Sequence, residues 1–261
     1  MMMKNFIRSL GSADWRPTKN NDNSCYTLDD RVLIDTGSAA GITLINQGID
    51  PTRLTTICFT HMHADHCIGL PQLLLYWRIM KGSLGELTIA GPRETVRAQF
   101  MRAFQYVFHD SEHVSTEVKA MPRILELSDG DSFETEDYFV QVIASHHAVP
   151  GLFYRFTDKV TGKVACFSGD TYYRDTFGPF CRDADILVHE ASAGAGPVKE
   201  YNPICLHSSA LEARQVAAEG NVKQLILTHS LVERWESAVQ AAAETLSIPV
   251  YWAEPLKVFE F

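Results

Sequence analysis

The chain has 261 residues, 46% of them hydrophobic and 21% charged, enough for one substantial core or two small ones. Its formal net charge of −9 argues against non-specific nucleic-acid binding, which draws on basic surface, although a local basic groove stays open. The cysteines, Cys25, Cys58, Cys67, Cys166, Cys181 and Cys205, form no Cys-x-x-Cys pair, so they read as buried reduced thiols of a cytoplasmic protein, not as a structural zinc site.

Met1 to Leu10 carries Lys4 and Arg8 without a sustained apolar run, so no signal peptide is expected there. No stretch approaches the ~20 apolar residues of a membrane helix, and no membrane partner is expected. Cys25 to Leu28 and Arg31 to Asp35 read as strands turned by Asp29-Asp30. Leu54 to Thr60, apolar and β-branched, reads as a buried strand. Pro71 to Met80 has helical spacing with proline in the first turn, and Thr95 to Val107 is helical too. Phe104, Tyr106, Phe108 and His109 fit a lid, but fit core and turn positions better. Phe133 to Ser145 alternates and reads as one long strand. Further strands are expected over Leu152 to Phe156, Lys163 to Ser168, Ile186 to His189 and Gln224 to Thr228. Leu211 to Ala218 and Ala238 to Thr245 read as helices. Pro249 to Trp252 and Lys257 to Phe261 close a sheet. Two strand clusters, each with helices, imply a layered α/β or α+β fold and not a parallel barrel.

The chemistry concentrates in Thr60-His61-Met62-His63-Ala64-Asp65-His66-Cys67, directly after the strand 54–60. Imidazole and carboxylate are the donors that borderline cations such as zinc accept. In an extended segment His61 and His63 point the same way, and Asp65 and His66 can reach a second cation as the chain turns into a helix. An incidental polar loop would leave these groups desolvated without benefit. Two metals need more ligands than this segment holds, so further His and Asp residues are expected downstream.

This His-x-His-x-Asp-His pattern after a strand resembles the metallo-β-lactamase superfamily, over nearly the whole chain, taken as one domain, 1–261. The resemblance implies an αββα sandwich of two mixed β-sheets flanked by helices. Leu33-Ile34-Asp35-Thr36-Gly37 looks like the superfamily's first motif, whose aspartate supports the metal loop without ligating. Ser145-His146-His147 looks like the third motif, Asp170 in Ser168-Gly169-Asp170-Thr171 like the bridging aspartate, and His229 like the last ligand. By resemblance His61, His63 and His147 hold one metal, Asp65, His66 and His229 the other, with Asp170 between. His147 is selected over His146 because His, Pro150 and Tyr154-Arg155 follow the ribonuclease Z pattern. Tyr154-Arg155 either positions substrate or anchors a strand pair.

Leu187-Val188-His189-Glu190-Ala191 and His207-Ser208-Ser209-Ala210 are similar to the His-Glu-Ala and His-Ser-Thr motifs of the ribonuclease Z-like branch. By that resemblance His207 donates a proton and Glu190 orients it; Asp65 counts among the catalytic groups as well as the ligands. Ser209 and Glu212 read as a capping box, placing His207 before a helix N-terminus suited to a phosphate. Two divalent cations, less Asp65, Asp170 and a bridging hydroxide, leave about +1, which a phosphodiester neutralises. The implied function is dinuclear hydrolysis of a phosphodiester, with a metal-bridging hydroxide as nucleophile and His207 as general acid. Zinc is the expected metal, with manganese or iron able to use the same donors. An aspartate at position 170, where many true β-lactamases carry cysteine, lowers β-lactam hydrolysis.

Bacterial ribonuclease Z enzymes carry a tRNA-gripping arm between the third-motif histidine and the bridging aspartate. Here His147 to Asp170 leaves no room for it. A small-molecule phosphodiester, such as a cyclic nucleotide, is therefore favoured, with an RNA 3′ end as the other target. A thioester, lactone or β-lactam hydrolase, a non-catalytic metal-binding protein and an iron redox enzyme are the competing readings. A homodimer is left open.

Overall fold

A computed structural model of the chain describes residues 5–108, 120–198 and 206–261. Its first part runs β1 (Phe6–Ala13), β2 (Asp22–Asn23), β3 (Cys25–Leu28), β4 (Val32–Ile34), α1 (Ala40–Asn46), β5 (Thr56–Cys58), α2 (Ala64–Cys67), α3 (Leu70–Lys81), β6 (Thr88–Pro92), α4 (Val96–Phe108) and β7 (Arg123–Leu127). Asp29 and Asp30 both adopt φ of 52°, the left-handed pair that matches strand twist in a tight hairpin. Pro71 sits in the first turn of α3, where its missing N–H costs nothing, and Gly82 ends the helix at φ 66°.

The second part runs β8 (Ser132–Glu134), β9 (Tyr138–Ala144), β10 (Leu152–Asp158), β11 (Val164–Phe167), α5 (Phe177–Phe180), β12 (Ile186–Glu190), α6 (Ala210–Glu219), β13 (Leu225–Thr228), α7 (Trp235–Ala243), β14 (Val250–Trp252) and β15 (Val258–Glu260). One sheet has the order β15-β1-β3-β4-β5-β6-β7, with β2 beside β1; the other has β14-β13-β12-β11-β10-β9-β8. Both sheets are mixed. Each begins with antiparallel hairpins and continues in parallel strands, β4 to β7 in one and β11 to β14 in the other.

Alternation divides the apolar residues into three layers. Tyr26, Ile34, Val140, Tyr154, Phe156 and Phe167 fill the space between the sheets. Leu33, Ile57 and Ile89 face α3 and α4, where Leu73, Trp77 and Phe100 cover them. Leu187, Leu225 and Leu227 face the helices of the other side, under Ala213, Val216 and Ala238. The result is the expected αββα sandwich.

Several local expectations are corrected. Residues 133–145 are not one strand: the Thr135 hydroxyl accepts from the Tyr138 N–H and turns the chain between β8 and β9. The last long helix starts at Trp235, earlier than its alanine-rich run implies, and ends at Ala243. Strands β1, β6 and β7 and helix α1 carry no expectation from sequence. Thr88 to Pro92 lacks strict alternation because this parallel strand is covered on both faces, whereas Arg123 to Leu127 is a partly exposed edge strand. Five cysteines are free and buried, as expected; Cys205 lies outside the described residues, as does His109. Phe104 and Phe108 pack against the α3/α4 core while Tyr106 is exposed, the core-and-turn arrangement. Among the described residues no helix is long and apolar enough to cross a membrane.

Phe156 is fully buried between the sheets, edge-on to Tyr138 and Phe167. Phe156→Ala is expected to cost about 3–5 kcal/mol by cavity formation, read as a lower urea midpoint at unchanged slope.

Candidate metal centre

Strand direction gathers the ligands. The C-terminal ends of parallel β4 and β5 deliver Asp35 and the His61–His66 segment. The C-terminal ends of β9, β11, β12 and β13 deliver His147, Asp170, Glu190 and His229. The two edges are stitched where the Leu152 N–H donates to the Thr60 carbonyl at 2.8 Å, beside an isolated bridge between His61 and Gly151. Gly169 aims Asp170: its φ is +58°, and a Cβ there would lie 2.6 Å from the Thr60 Cβ.

Two donor groups result. His61 Nε2 and His147 Nε2 lie 3.0 and 3.1 Å from His63 Nδ1, and Asp170 Oδ2 lies 3.7 Å from His61 Nε2. His66 Nε2 and His229 Nε2 lie 3.2 Å apart, and Asp65 Oδ2 lies 3.7 and 3.4 Å from them. Asp170 serves both groups, at 3.5 Å from His66 Nε2 and 3.4 Å from His229 Nε2. All seven sequence-derived candidates thus come together, and His207 forms a further group with Asp170 and His229.

The donor chemistry fits metal ions. The His147 Nδ1–H donates to the Leu206 carbonyl at 2.9 Å and the His66 Nδ1–H to Asp35 Oδ2 at 2.8 Å, so both present a lone pair at Nε2. The Thr60 hydroxyl gives its proton to Asp35 at 2.7 Å, so at 3.2 Å it accepts from His61 Nδ1–H. In their neutral forms these nitrogens would face one another with lone pairs, an arrangement that a shared cation stabilises. Donors ~2.0–2.1 Å from a tetrahedral zinc stand about 3.3 Å apart, close to the spacings found.

Charge completes the fit. Burial first, then the nearby His66 charge, drives His61 well below the usual imidazole range; burial lowers His63 and His147 as well. These are neutral donors, the form that ligates. Burial opposes ionisation of Asp170, but His229 and His66 outweigh it and hold the carboxyl well below its usual range. Burial also opposes a charge on His66, yet Asp170 and Asp35 hold it well above the usual imidazole range.

Asp35 points away from both donor groups. It accepts the Thr60 N–H at 2.8 Å besides the Thr60 hydroxyl and His66, the supporting position expected for it. His207 and Glu190 are paired, Nδ1 to Oε1 at 2.9 Å, and His207 Nδ1 lies 3.8 Å from Asp170 Oδ2. The Thr171 N–H and the Ser192 N–H fix the two oxygens of Glu190, at 2.8 and 3.1 Å. Burial works against the Glu190 charge, but the His207 charge and hydrogen bond keep its carboxyl below the usual range. Ser209 and Glu212 form the capping box at the start of α6.

His146 does not join the cluster; its ring stands edge-on to Tyr172. Tyr154 and Arg155 are structural: the buried tyrosine donates to the Phe59 carbonyl at 2.8 Å, and Arg155 donates to the carbonyls of Phe180 and Arg182. Sequence reasoning missed Ser192, whose Oγ lies 2.8 Å from His229 Nδ1. Its only sequence signal is its place directly after His-Glu-Ala.

A family model described as Anti-Pycsar protein Apyc1 matches residues 7–219. The chain is similar to Ribonuclease Z from Bacillus velezensis, 28% identical over 273 positions that cover 83% of this chain and 85% of the relative. The metallo-β-lactamase fold protein YhfI from Bacillus subtilis superposes with a TM-score of 0.79 at 21% identity, covering 98% of both chains. The short form of human tRNase Z superposes with a TM-score of 0.75 at 23% identity, again over 98% of both.

Asp35→Ala removes the acceptor shared by Thr60 and His66. Metal affinity is expected to fall about 10–100-fold, measured by chelator competition, as for loss of a group that orients metal ligands.

Proposed function

The chain belongs to the family described as Anti-Pycsar protein Apyc1 and is a ribonuclease Z-like, metal-dependent hydrolase of the metallo-β-lactamase fold; we propose that it cleaves a small or cyclic phosphodiester at a two-metal centre, with zinc as the metal. In this reading His61, His63 and His147 hold one cation, Asp65, His66 and His229 hold the other, and Asp170 lies between them. When bound, the cations acidify a water to make a nucleophile at neutral pH and neutralise charge on the phosphoryl oxygens. Manganese or iron would suit the same donors.

The observation that carries phosphodiester chemistry is the Glu190–His207 pair set against Asp170. An alkoxide is a poor leaving group and needs a proton. Glu190 holds His207 through Nδ1, so its Nε2 proton is the one delivered to the leaving oxygen. The His207 ring lies 5.1 Å from that of His147 and 5.6 Å from that of His229, so it reaches across both donor groups. Asp65, the more exposed of the two carboxylate ligands, is kept ionised by its hydrogen bond and charge contact with His229 against the effect of burial. It serves as proton acceptor as well as ligand. Thioester, lactone and β-lactam leaving groups need less acid help, which weighs against that ester class.

Two features favour a small substrate over tRNA. The interval from His147 to Asp170 is filled by the β10/β11 hairpin. The alignment with the Bacillus velezensis relative spans 273 positions, more than the 261 residues of this whole chain, so that relative holds inserted residues. The name of that relative favours an RNA 3′ end as the second reading. Zinc-loaded protein is expected to hydrolyse cyclic nucleotides with kcat/KM well above that for a tRNA precursor, a thioester or a lactam. Efficient cleavage of the tRNA precursor alone would reverse the order.

His207→Ala is expected to lower kcat about 10²–10⁴-fold on an alkyl phosphodiester and far less on bis(p-nitrophenyl) phosphate, whose leaving group needs no acid. Equal losses on both substrates would contradict the acid role.

A further inference from the structure

Each ligating histidine that presents Nε2 has a partner on its other nitrogen: Thr60 for His61, Asp35 for His66 and the Leu206 carbonyl for His147. For His229 that place is filled by Ser192, outside every motif used so far. The Ser192 hydroxyl lies 2.8 Å from His229 Nδ1 and 2.8 Å from the His229 carbonyl oxygen. A carbonyl can only accept, and the hydroxyl has one proton. That proton therefore goes to the carbonyl, and His229 must bring its own proton on Nδ1. In the neutral, ligating form the lone pair is thereby left on Nε2, the atom that faces His66, Asp65 and Asp170.

The same contact holds the backbone. His229 is a non-glycine residue at φ 62°, a conformation that persists only where its surroundings impose it. The Ser192 hydroxyl ties its carbonyl, and the Ser12 carbonyl accepts its N–H at 2.9 Å. Ser192 is itself fixed: its N–H donates to Glu190 Oε2 at 3.1 Å, and Arg234 Nη1 donates to its carbonyl at 3.0 Å. One residue thus touches both the carboxylate that holds His207 and the histidine of the second donor group.

We propose that Ser192 is a positioning residue that fixes His229 as an Nε2 ligand and so loads the second metal site, beside the Glu190–His207 pair. The inference rests on the two-metal reading above. It concerns one proton on one ring, and it is visible before any metal or substrate is added.

Two measurements test it. In the metal-free protein, ¹⁵N-histidine NMR is expected to find the His229 proton on Nδ1 in the parent, and a mixture of tautomers in Ser192→Ala. In zinc titrations against a chromophoric chelator, the parent is expected to take up two ions. Ser192→Ala is expected to take up the first as the parent does and the second about 10–100-fold more weakly, with Ser192→Thr restoring it. A parent His229 with no proton on Nδ1 overturns the assignment without any variant, so a failure of Ser192→Ala to fold leaves the test intact. Parent-like binding of both ions by Ser192→Ala, or no rescue by threonine, overturns it too. A parent that binds only one zinc contradicts the two-metal reading instead, and the NMR result still decides the role of Ser192.

Discussion

The site depends on one buried carboxylate that touches no donor group's centre. Asp35 ends β4 in a left-handed backbone conformation, φ 55°, almost fully buried. It receives the backbone and hydroxyl of Thr60 and the Nδ1–H of His66. Thr60 in turn orients His61. The direction of the whole His61–His66 segment as it leaves β5 is therefore set from β4. Burial raises the Asp35 carboxyl above its usual range, with His66 and Thr60 pulling the other way. This balance explains why three donors converge there: fewer would leave a desolvated charge unpaired.

The same economy applies across the cleft. Each sheet changes from antiparallel to parallel pairing at its middle, and the parallel strands of both point their C-terminal ends at one edge. Loops there carry function on a rigid scaffold, so residues far apart in sequence meet with defined spacing. Five histidines and two aspartates brought this close would repel or lie unpaired in pairs without a positive charge among them. The network resolves this partly by charging His66 between Asp35 and Asp170. Cations resolve it fully.

Much of this is legible in sequence, for identifiable reasons. The clustered His and Asp donors are short-range motifs at strand ends, so their spacing is read directly. The Asp29-Asp30 turn, the proline start of α3 and the capping box of α6 rest on local chemistry and are read directly. What is not legible depends on tertiary context. Residues 133–145 read as one strand from the alternation within them, yet the hydrogen bond at Thr135 and Tyr138, beside the polar run Glu134-Thr135-Glu136-Asp137, folds them into a hairpin. Strand β6 is covered on both faces and loses the period-two signature. Tyr154 and Arg155 sit in a recognisable pattern but point into the core and at α5 carbonyls. Ser192 is invisible because its partner is far along the chain, at His229.

The proposed centre has two cations flanking Asp170, with the Glu190–His207 pair beside them to protonate a leaving group. Crystals of zinc-loaded protein measured on both sides of the zinc absorption edge test this most directly. The account predicts two anomalous peaks, one among His61, His63 and His147 and the other among Asp65, His66 and His229, each within ligand distance of Asp170. A single peak, or zinc bound elsewhere on the chain, would contradict it.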